Sequence, residues 1–365
     1  MLTETLLKQT PLHAEHIRLG ARMVPFGGWE MPLQYAGIFD EYQQTRRNVS
    51  VFDTSHMGEF IITGSARSSG LEELVTQSLD DLNVGACRYG MLLNQNGGVI
   101  DDLIVFRCEE ERWLLVVNAG TRDKDAEHIT ARLKASNIFK DLSGQTAKLD
   151  VQGPASRDLL MSFIPGIEQL TYFTFKTFDV LGEAVLVSRT GYTGELGYEI
   201  FYPTEKIQRL WHHLLEHGAL PAGLGVRDVL RLEMGYSLYG HELREDISPL
   251  EAGLSRFIAW NKDFIGRAAL EKQKQSAGLR RSVAFVSHSR RIPRDGQTLF
   301  AADGRVLGLV TSGTFSFGLN RGIGLGLIAD DSAVMNGPIY FGRETQRLPA
   351  DITRLPFYKD GSLKK

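Results

Sequence analysis

The stretch that most restricts the fold runs from residue 89 to residue 118. Tyr89-Gly-Met-Leu-Leu-Asn94 is followed by Gln95-Asn-Gly-Gly98, then by Val99-Ile-Asp-Asp-Leu-Ile-Val-Phe106. Asn-Gly and Gly-Gly accept positive φ and close a tight hairpin. Trp113-Leu-Leu-Val-Val-Asn118 supplies a third strand, so the chain is predicted to contain an antiparallel meander. Asp101 and Asp102 interrupt the apolar middle strand. Alternation sends them to opposite faces, Asp101 with Val99, Leu103 and Val105, and Asp102 with Ile100, Ile104 and Phe106. At least one carboxylate therefore sits among apolar neighbours, where an ionised Asp needs a partner. Two readings stay open: an aspartate satisfied by backbone N–H groups beside the Gly97-Gly98 turn, or a site carboxylate tuned by burial.

Elsewhere the chain alternates helix-like and strand-like segments without a steady βαβ rhythm, which favours α+β over a doubly wound sheet. Residues 11–35, with Phe26-Gly-Gly-Trp-Glu-Met-Pro32, read as extended loop, and a polar helix follows over 38–47. Further helices are expected at 70–77, 122–135, 154–163, 204–217 and 226–236. A polar stretch at 272–282 precedes short β-like runs divided by turns (Asp295-Gly296, Asp303-Gly304, Ser312-Gly313, Asn336-Gly337), the pattern of a small all-β domain. The expected division is 1–275 and 280–362. With 365 residues, two or three domains is the natural count.

Several function classes are disfavoured. A formal net charge of −3 gives no broad basic field for nucleic acid or a membrane surface. No segment approaches the ~20 apolar residues of a spanning helix, and the start resembles neither a signal nor a transit peptide. Cytoplasmic placement is expected. Cys87 and Cys108 are too few for a disulfide framework and lack zinc-site spacing. No P-loop is present, and Gly322-Ile-Gly-Leu-Gly326 lies in the β-like tail, where its glycines serve strand packing. His241-Glu242 has no second histidine at zincin spacing. The His212-His213 pair reads as one buried and one exposed residue, so no metal site is expected.

Ser188-Arg-Thr-Gly-Tyr-Thr-Gly-Glu-Leu-Gly-Tyr-Glu-Ile200 suggests a bend with close backbone approach. Tyr192 and Glu199 would face opposite ways on a straight strand, and a turn at 193–197 would bring them to one side. Without such a turn they belong to a surface hairpin. Arg227 stands at a helix entrance and Arg231 one turn later, with Asp228 able to pair with either.

Taken together, these segments resemble the aminomethyltransferase family, the T-protein of the glycine cleavage system. The resemblance runs nearly end to end: Thr10-Pro-Leu-His13, Gly20-Ala-Arg-Met23, Phe26-Gly-Gly-Trp29, Met31-Pro32, Val51-Phe-Asp-Thr-Ser-His-Met57, Gly97 to Val105, Val116-Val-Asn118 and Gln152-Gly-Pro154. It continues through Ser188 to Glu195, Gly225-Val-Arg-Asp228, Leu230-Arg-Leu-Glu233, Leu238-Tyr-Gly240, Asp263-Phe-Ile-Gly266 and Val310-Thr-Ser-Gly-Thr-Phe-Ser316.

The resemblance implies a three-lobed cloverleaf around a folate pocket, with a C-terminal barrel-like lobe. It implies transfer of the methylene of an aminomethyl group, carried on the lipoyl arm of H-protein, to tetrahydrofolate, with release of ammonia. The P- and L-proteins would be partners in the same system. By position, Asp101 matches the acid near the reacting folate nitrogens, where it would orient the nitrogen, manage its proton and stabilise developing positive charge. Tyr89, Val116 and Asn118 match pocket-lining positions and Met57 an apolar wall. Tyr192 and Glu199 match pterin contacts, Arg227 a folate-binding arginine, and Tyr236 is a further addition. A carboxylate such as Glu199 suits the paired donors of a pterin edge, and Tyr and Met suit its flat ring.

Two positions depart from the family pattern: Phe317 follows Ser316 where Pro is usual, and Lys359 stands where relatives offer a basic contact to the folate glutamate. The rival readings are a folate-dependent demethylase of a small methylated substrate and a non-catalytic folate-binding protein of the same fold. A relative in iron–sulfur maintenance is disfavoured because its Lys-Gly-Cys motif is absent. Arg290, Arg291 and Arg294 form a short charged turn that either meets an acidic carrier protein or is simply a solvated loop.

Overall fold

A computed structural model describes residues 6–329 and 338–364. The expected turn at Asn336-Gly337 lies outside them. The expected meander opens a five-stranded sheet in the order Cys87–Leu93, Val99–Glu109, Arg112–Val117, Gly58–Thr63, Phe139–Asp141. A second sheet runs Phe175–Val180, Glu183–Ser188, Gly197–Pro203, Thr146–Gln152, Ser50–Asp53, Leu220–Pro221. The two sheets meet face to face through Phe106, whose ring lies 5.2 Å from Phe175 and 5.7 Å from Phe201. A small three-stranded sheet joins Lys8–Gln9, Trp29–Gln34 and Arg22–Phe26, and the strands from Arg281–Ser287 to Gln346–Thr353 close a six-stranded barrel. The class is α+β with an all-β last lobe, as expected. Among the described residues no helix is long and apolar enough to cross a membrane.

The barrel shows why its glycines are spaced as they are. A Cβ at Gly324 would stand 2.5 Å from the Phe285 ring and one at Gly326 would stand 2.4 Å from Leu299. The Phe285 ring and the Leu299 side chain fill the barrel core with Phe341 and Val310. Phe317, in place of proline, packs against Phe39 at 5.1 Å, Tyr42 at 5.0 Å and Phe315 at 5.4 Å, bridging the barrel to the first long helix.

The helix Leu224–Met234 is the hub. Val226, Val229, Leu230 and Leu232 bury its apolar face, and Gly235, at φ 72°, ends it in the left-handed conformation. Arg231, almost wholly buried, donates to Asp228 at 2.7 Å, to Glu242 at 3.0 Å and to Ser312 of the barrel at 2.9 Å. Asp228 therefore takes Arg231 as its local partner and leaves Arg227 for another. A second buried arginine, Arg46, holds Glu195 at 2.9 Å and Glu233 at 2.7 Å. The C-terminal segment returns to the same place. The Tyr358 N–H donates to the Glu233 carbonyl at 3.0 Å, the Tyr358 ring lies under Arg46, and the Ser362 N–H donates to Glu195 at 2.8 Å.

Some expectations needed correction. Residues 11–35 are not loop: they form the helix His13–Arg18 and the hairpin Arg22–Phe26/Trp29–Gln34. Gly27 and Gly28, at φ 54° and 84°, make the two-residue turn that Gly-Gly favours, a signal obscured by the prolines around it. Helix 70–77 is instead two short helices, Ala66–Ser69 and Leu71–Leu74, broken by Gly70 at φ 90°. In the middle strand a bulge at the hairpin end moves Ile100 into the core of Leu103 and Val105, while Val99 joins Met91 and Leu93. His212 and His213 are both half-buried, one facing Glu15 at 2.9 Å and the other packed against Phe163 and His217. Cys87 and Cys108 are free, with Cys87 buried.

Candidate active-site cleft

Strand register turns one face of the five-stranded sheet into a grid. Tyr89 pairs with Ile104, Ile104 with Val116, and Val116 with Glu59, so these four form one row across four strands. The next row holds Met91 and Asp102, which pair directly, followed by Asn118 just past its strand and Met57 just before its own. On the other side, Cys87, Phe106, Leu114 and Ile61 form an apolar row that meets the second sheet. The sequence-predicted positions Met57, Tyr89, Val116 and Asn118 therefore share one wall. Met57, Tyr89, Asp102 and Asn118 are partly reached by solvent although surrounded by protein, the signature of a recessed cleft.

Asp101 does not share that wall. Its side chain lies on the opposite face, with no solvent exposure, beneath the helix Arg122–Thr130. There the Asn118 backbone N–H donates to it at 3.0 Å and the Asn118 side-chain amide at 2.9 Å. Burial raises its pKa, and the neighbouring Asp125 is pushed up to about 10 by burial and by the charge of Asp101. The carboxylate in the cleft is Asp102. Two-residue alternation made this distinction inevitable, but which face would be the cleft depended on the second sheet.

Asp102 is tightly held. The Tyr89 hydroxyl donates to its Oδ2 at 3.0 Å and the Asn118 amide to its Oδ1 at 2.8 Å. Burial and the nearby charge of Asp101 push its pKa up to about 7, against the two hydrogen bonds, which lower it. Burial and the adjacent Asp102 hold the Tyr89 phenol well above its usual range, so it remains a donor. The Phe257 ring, 4.7 Å from Tyr89, fixes the phenol edge-on. A carboxyl poised near neutrality and gripped from two sides is suited to exchanging a proton.

The second sheet supplies the facing charges. Lys148, fully buried, donates to Asp150 at 2.8 Å and Glu199 at 2.9 Å, while the Thr190 hydroxyl donates to the other Glu199 oxygen at 2.7 Å. Arg227 donates to Asp150 at 2.8 Å. Burial works against both charges, yet Lys148 and Arg227 hold Asp150 below its usual range, and Asp150 and Glu199 hold Lys148 above its own. The Arg227 guanidinium stands 5.1 Å over the Tyr192 ring, which stacks on Tyr236 at 5.6 Å and 24°. The Tyr192 hydroxyl donates to the Ser237 carbonyl. Glu199 is thus linked through Lys148 and Asp150 to Arg227, and from there to Tyr192 and Tyr236.

Lys148, Asp150 and Thr190 escaped the sequence reading. Thr146-Ala-Lys-Leu-Asp-Val-Gln152 alternates polar and apolar, which ordinarily marks a solvent-facing stripe. Here Lys148, Asp150 and Gln152 are all buried. Lys359 lies apart from this cluster, lining a cavity of about 320 Å³ with Arg321 and Arg354 on the barrel side. Among the described residues no group of three His, Cys, Asp or Glu is placed to hold a metal ion. An apolar floor of Ile104, Val116 and Met57, rimmed by tyrosines and carboxyls, suits a flat heteroaromatic molecule with a hydrogen-bonding edge.

Comparison with known proteins gives the same picture over the whole length. Residues 12–262 match the GCVT N-terminal domain and residues 280–359 the glycine cleavage T-protein C-terminal barrel domain. The chain is 41% identical to an aminomethyltransferase of Pseudothermotoga lettingae, covering 98% of this chain and 99% of that one. It is 39% identical to an aminomethyltransferase of Geobacillus kaustophilus, covering 97% and 99%. The crystal structure of glycine cleavage system aminomethyltransferase T from Bartonella henselae superposes with a TM-score of 0.90 at 30% identity, covering 98% of this chain and 99% of that one.

Proposed function

Since the chain belongs to the glycine cleavage T-protein family, we propose that it performs that family's transfer in the cleft between its two sheets, with Asp102 as the acid at the reacting nitrogens. It is a tetrahydrofolate-dependent aminomethyltransferase that works with the lipoylated H-protein and, in the same system, the P- and L-proteins. It takes the methylene from the aminomethyl group on H-protein and gives 5,10-methylenetetrahydrofolate, ammonia and dihydrolipoyl H-protein.

The observation that carries the choice of Asp102 over Asp101 is its place on the same wall as Tyr89, Val116, Asn118 and Met57. In this reading the folate supplies the nucleophilic nitrogen. Asp102 accepts a hydrogen bond from that nitrogen, takes up its proton and stabilises positive charge as ammonia leaves. Asp101 acts at one remove by holding Asn118. Tyr89 and Asn118 fix the Asp102 carboxyl. Ile104, Val116 and Met57 bed the ring, Glu199 accepts from the ring-edge donors, and Arg227, Tyr192 and Tyr236 form the far wall. The protein acts in the cytoplasm, and its last lobe begins near residue 280.

The test is formation of methylenetetrahydrofolate and ammonia from aminomethyl-loaded H-protein, with and without tetrahydrofolate. Folate-dependent release of both products is expected. Folate binding without turnover would shift the reading to a demethylase or a binding protein of the same fold.

A further inference from the structure

We propose that Glu59 is an additional folate-binding residue, presenting a hydrogen-bond donor to the carbonyl edge of the pterin ring. This rests on placing the folate in the cleft described above. Glu59 ends the row that begins at Tyr89 and runs through Ile104 and Val116, so its side chain belongs to the cleft wall. The parity of its own strand agrees: Ile61 joins the apolar row facing the second sheet, and Phe60 and Ile62 join the core behind.

The side chain is nearly inaccessible, at 1% exposure, and neither carboxylate oxygen has a hydrogen-bond partner among the described residues. A buried carboxyl left without partners is costly, and structures seldom keep one without a use for it. The charged groups facing it are Lys148 and Glu199 of the second sheet, Asp141 of the edge strand, and Arg122 at the start of the neighbouring helix. Burial dominates these and raises Glu59 well above the usual carboxyl range, which favours its protonated form. A protonated carboxyl both donates and accepts.

That chemistry complements Glu199. As a carboxylate held by Lys148 and Thr190, Glu199 offers only acceptors, which suit the ring N–H and amino groups. The ring carbonyl needs a donor, and Glu59 has one unused. The spacing also fits. Asp102 and Glu59 are separated by two strands and one same-face step, which places their Cα atoms about 12 Å apart. Two side chains reaching inward from that distance can grip one edge of a fused two-ring heterocycle, Asp102 at the reacting ring nitrogen and Glu59 at the carbonyl that is its peri neighbour.

The experiment is calorimetric titration of the full chain with tetrahydrofolate, comparing the parent with Glu59→Gln, Glu59→Leu and Asp102→Asn, alongside ligand-free melting curves. Glu59→Gln keeps a donor and should bind within about threefold of the parent, whereas Glu59→Leu should bind at least about tenfold more weakly. Its ligand-free melting temperature should not fall, because an unsatisfied polar group has been removed. Parent affinity should decline at high pH, where Glu59 ionises, and Glu59→Gln affinity should not; this comparison decides the matter if the Leu variant fails to fold. Equal affinity of Glu59→Leu and parent, or equal loss in Leu and Gln, overturns the proposal. Loss of turnover in Asp102→Asn with unchanged Glu59→Leu affinity would remove Glu59 alone, whereas indifference to both substitutions would remove the cleft assignment itself.

Discussion

The Tyr89 hydroxyl donates to Asp102 Oδ2 at 3.0 Å, linking residues on adjacent strands one diagonal step apart on the cleft face. This hydrogen bond favours the ionised carboxylate, against burial and Asp101, which favour the acid. In Tyr89→Phe the Asp102 pKa should therefore rise from about 7, and the acid limb of kcat/KM should move to higher pH. A pH–rate profile with loaded H-protein checks this. An unmoved limb would mean that the limb belongs to another group.

Asp102→Asn should lower turnover by about 10²- to 10⁴-fold, the usual range for a positioned acid–base group. Asp101→Asn should lower it less, because Asp101 reaches the cleft only through Asn118. Single-turnover formation of methylenetetrahydrofolate ranks the two, and the reverse order would return the catalytic role to Asp101.

The same substitution has a stability consequence of definite sign. The folded protein holds the Asp102 proton up to about pH 7, whereas the unfolded chain releases it near pH 4. The folded state then binds more protons between those values, so this group's contribution falls as pH rises from about 4 to 7. Asp102→Asn removes that loss. Its melting temperature should match the parent near pH 4 and exceed it at pH 8.

Lys148→Met should destabilise by about 3–5 kcal/mol, because it strands Asp150 and Glu199 in a buried site with one cation removed. Denaturant unfolding at pH 7 measures this. The loss should shrink at low pH as the carboxylates take up protons. A cost below about 1 kcal/mol would show that the second sheet relaxes to admit water.

Arg231→Met should loosen the barrel before it unfolds the sheets. Arg231 ties the hub helix to Ser312, Glu242 and the Tyr236 carbonyl, so its loss opens the seam at Tyr236. Hydrogen exchange in the strand Val306–Ser316 should rise selectively. Uniform protection loss across the barrel and the five- and six-stranded sheets would show instead that the seam and the sheets unfold together.

Much of this architecture was legible because strand alternation and glycine placement are local signals. The meander, the barrel-like tail and the opposite facing of Asp101 and Asp102 all follow from neighbouring residues. The choice between the two carboxylates was not legible, since it depends on which face of one sheet meets another sheet distant in sequence. Lys148 and Asp150 were hidden for a related reason: a polar stripe on a strand looks the same whether it faces water or a buried ion network. The helix at His13–Arg18 was missed because six residues are too few to show a period.

The clasp formed by Arg46, Glu195, Glu233 and Ser362 sets an order of events during synthesis. Its members come from the helix Ile38–Arg47, from the middle of the chain and from Ser362, far apart in sequence. The ribosome still covers Ser362 when both sheets are already outside, so a nascent chain has the cleft walls in hand before it has the clasp. Until Ser362 emerges the Glu195 carboxylate relies on Arg46, whereas Glu233 already has the hydroxyls of Tyr42 and Ser316 as well. A chain cut just before Ser362 would carry every cleft residue but leave this clasp incomplete.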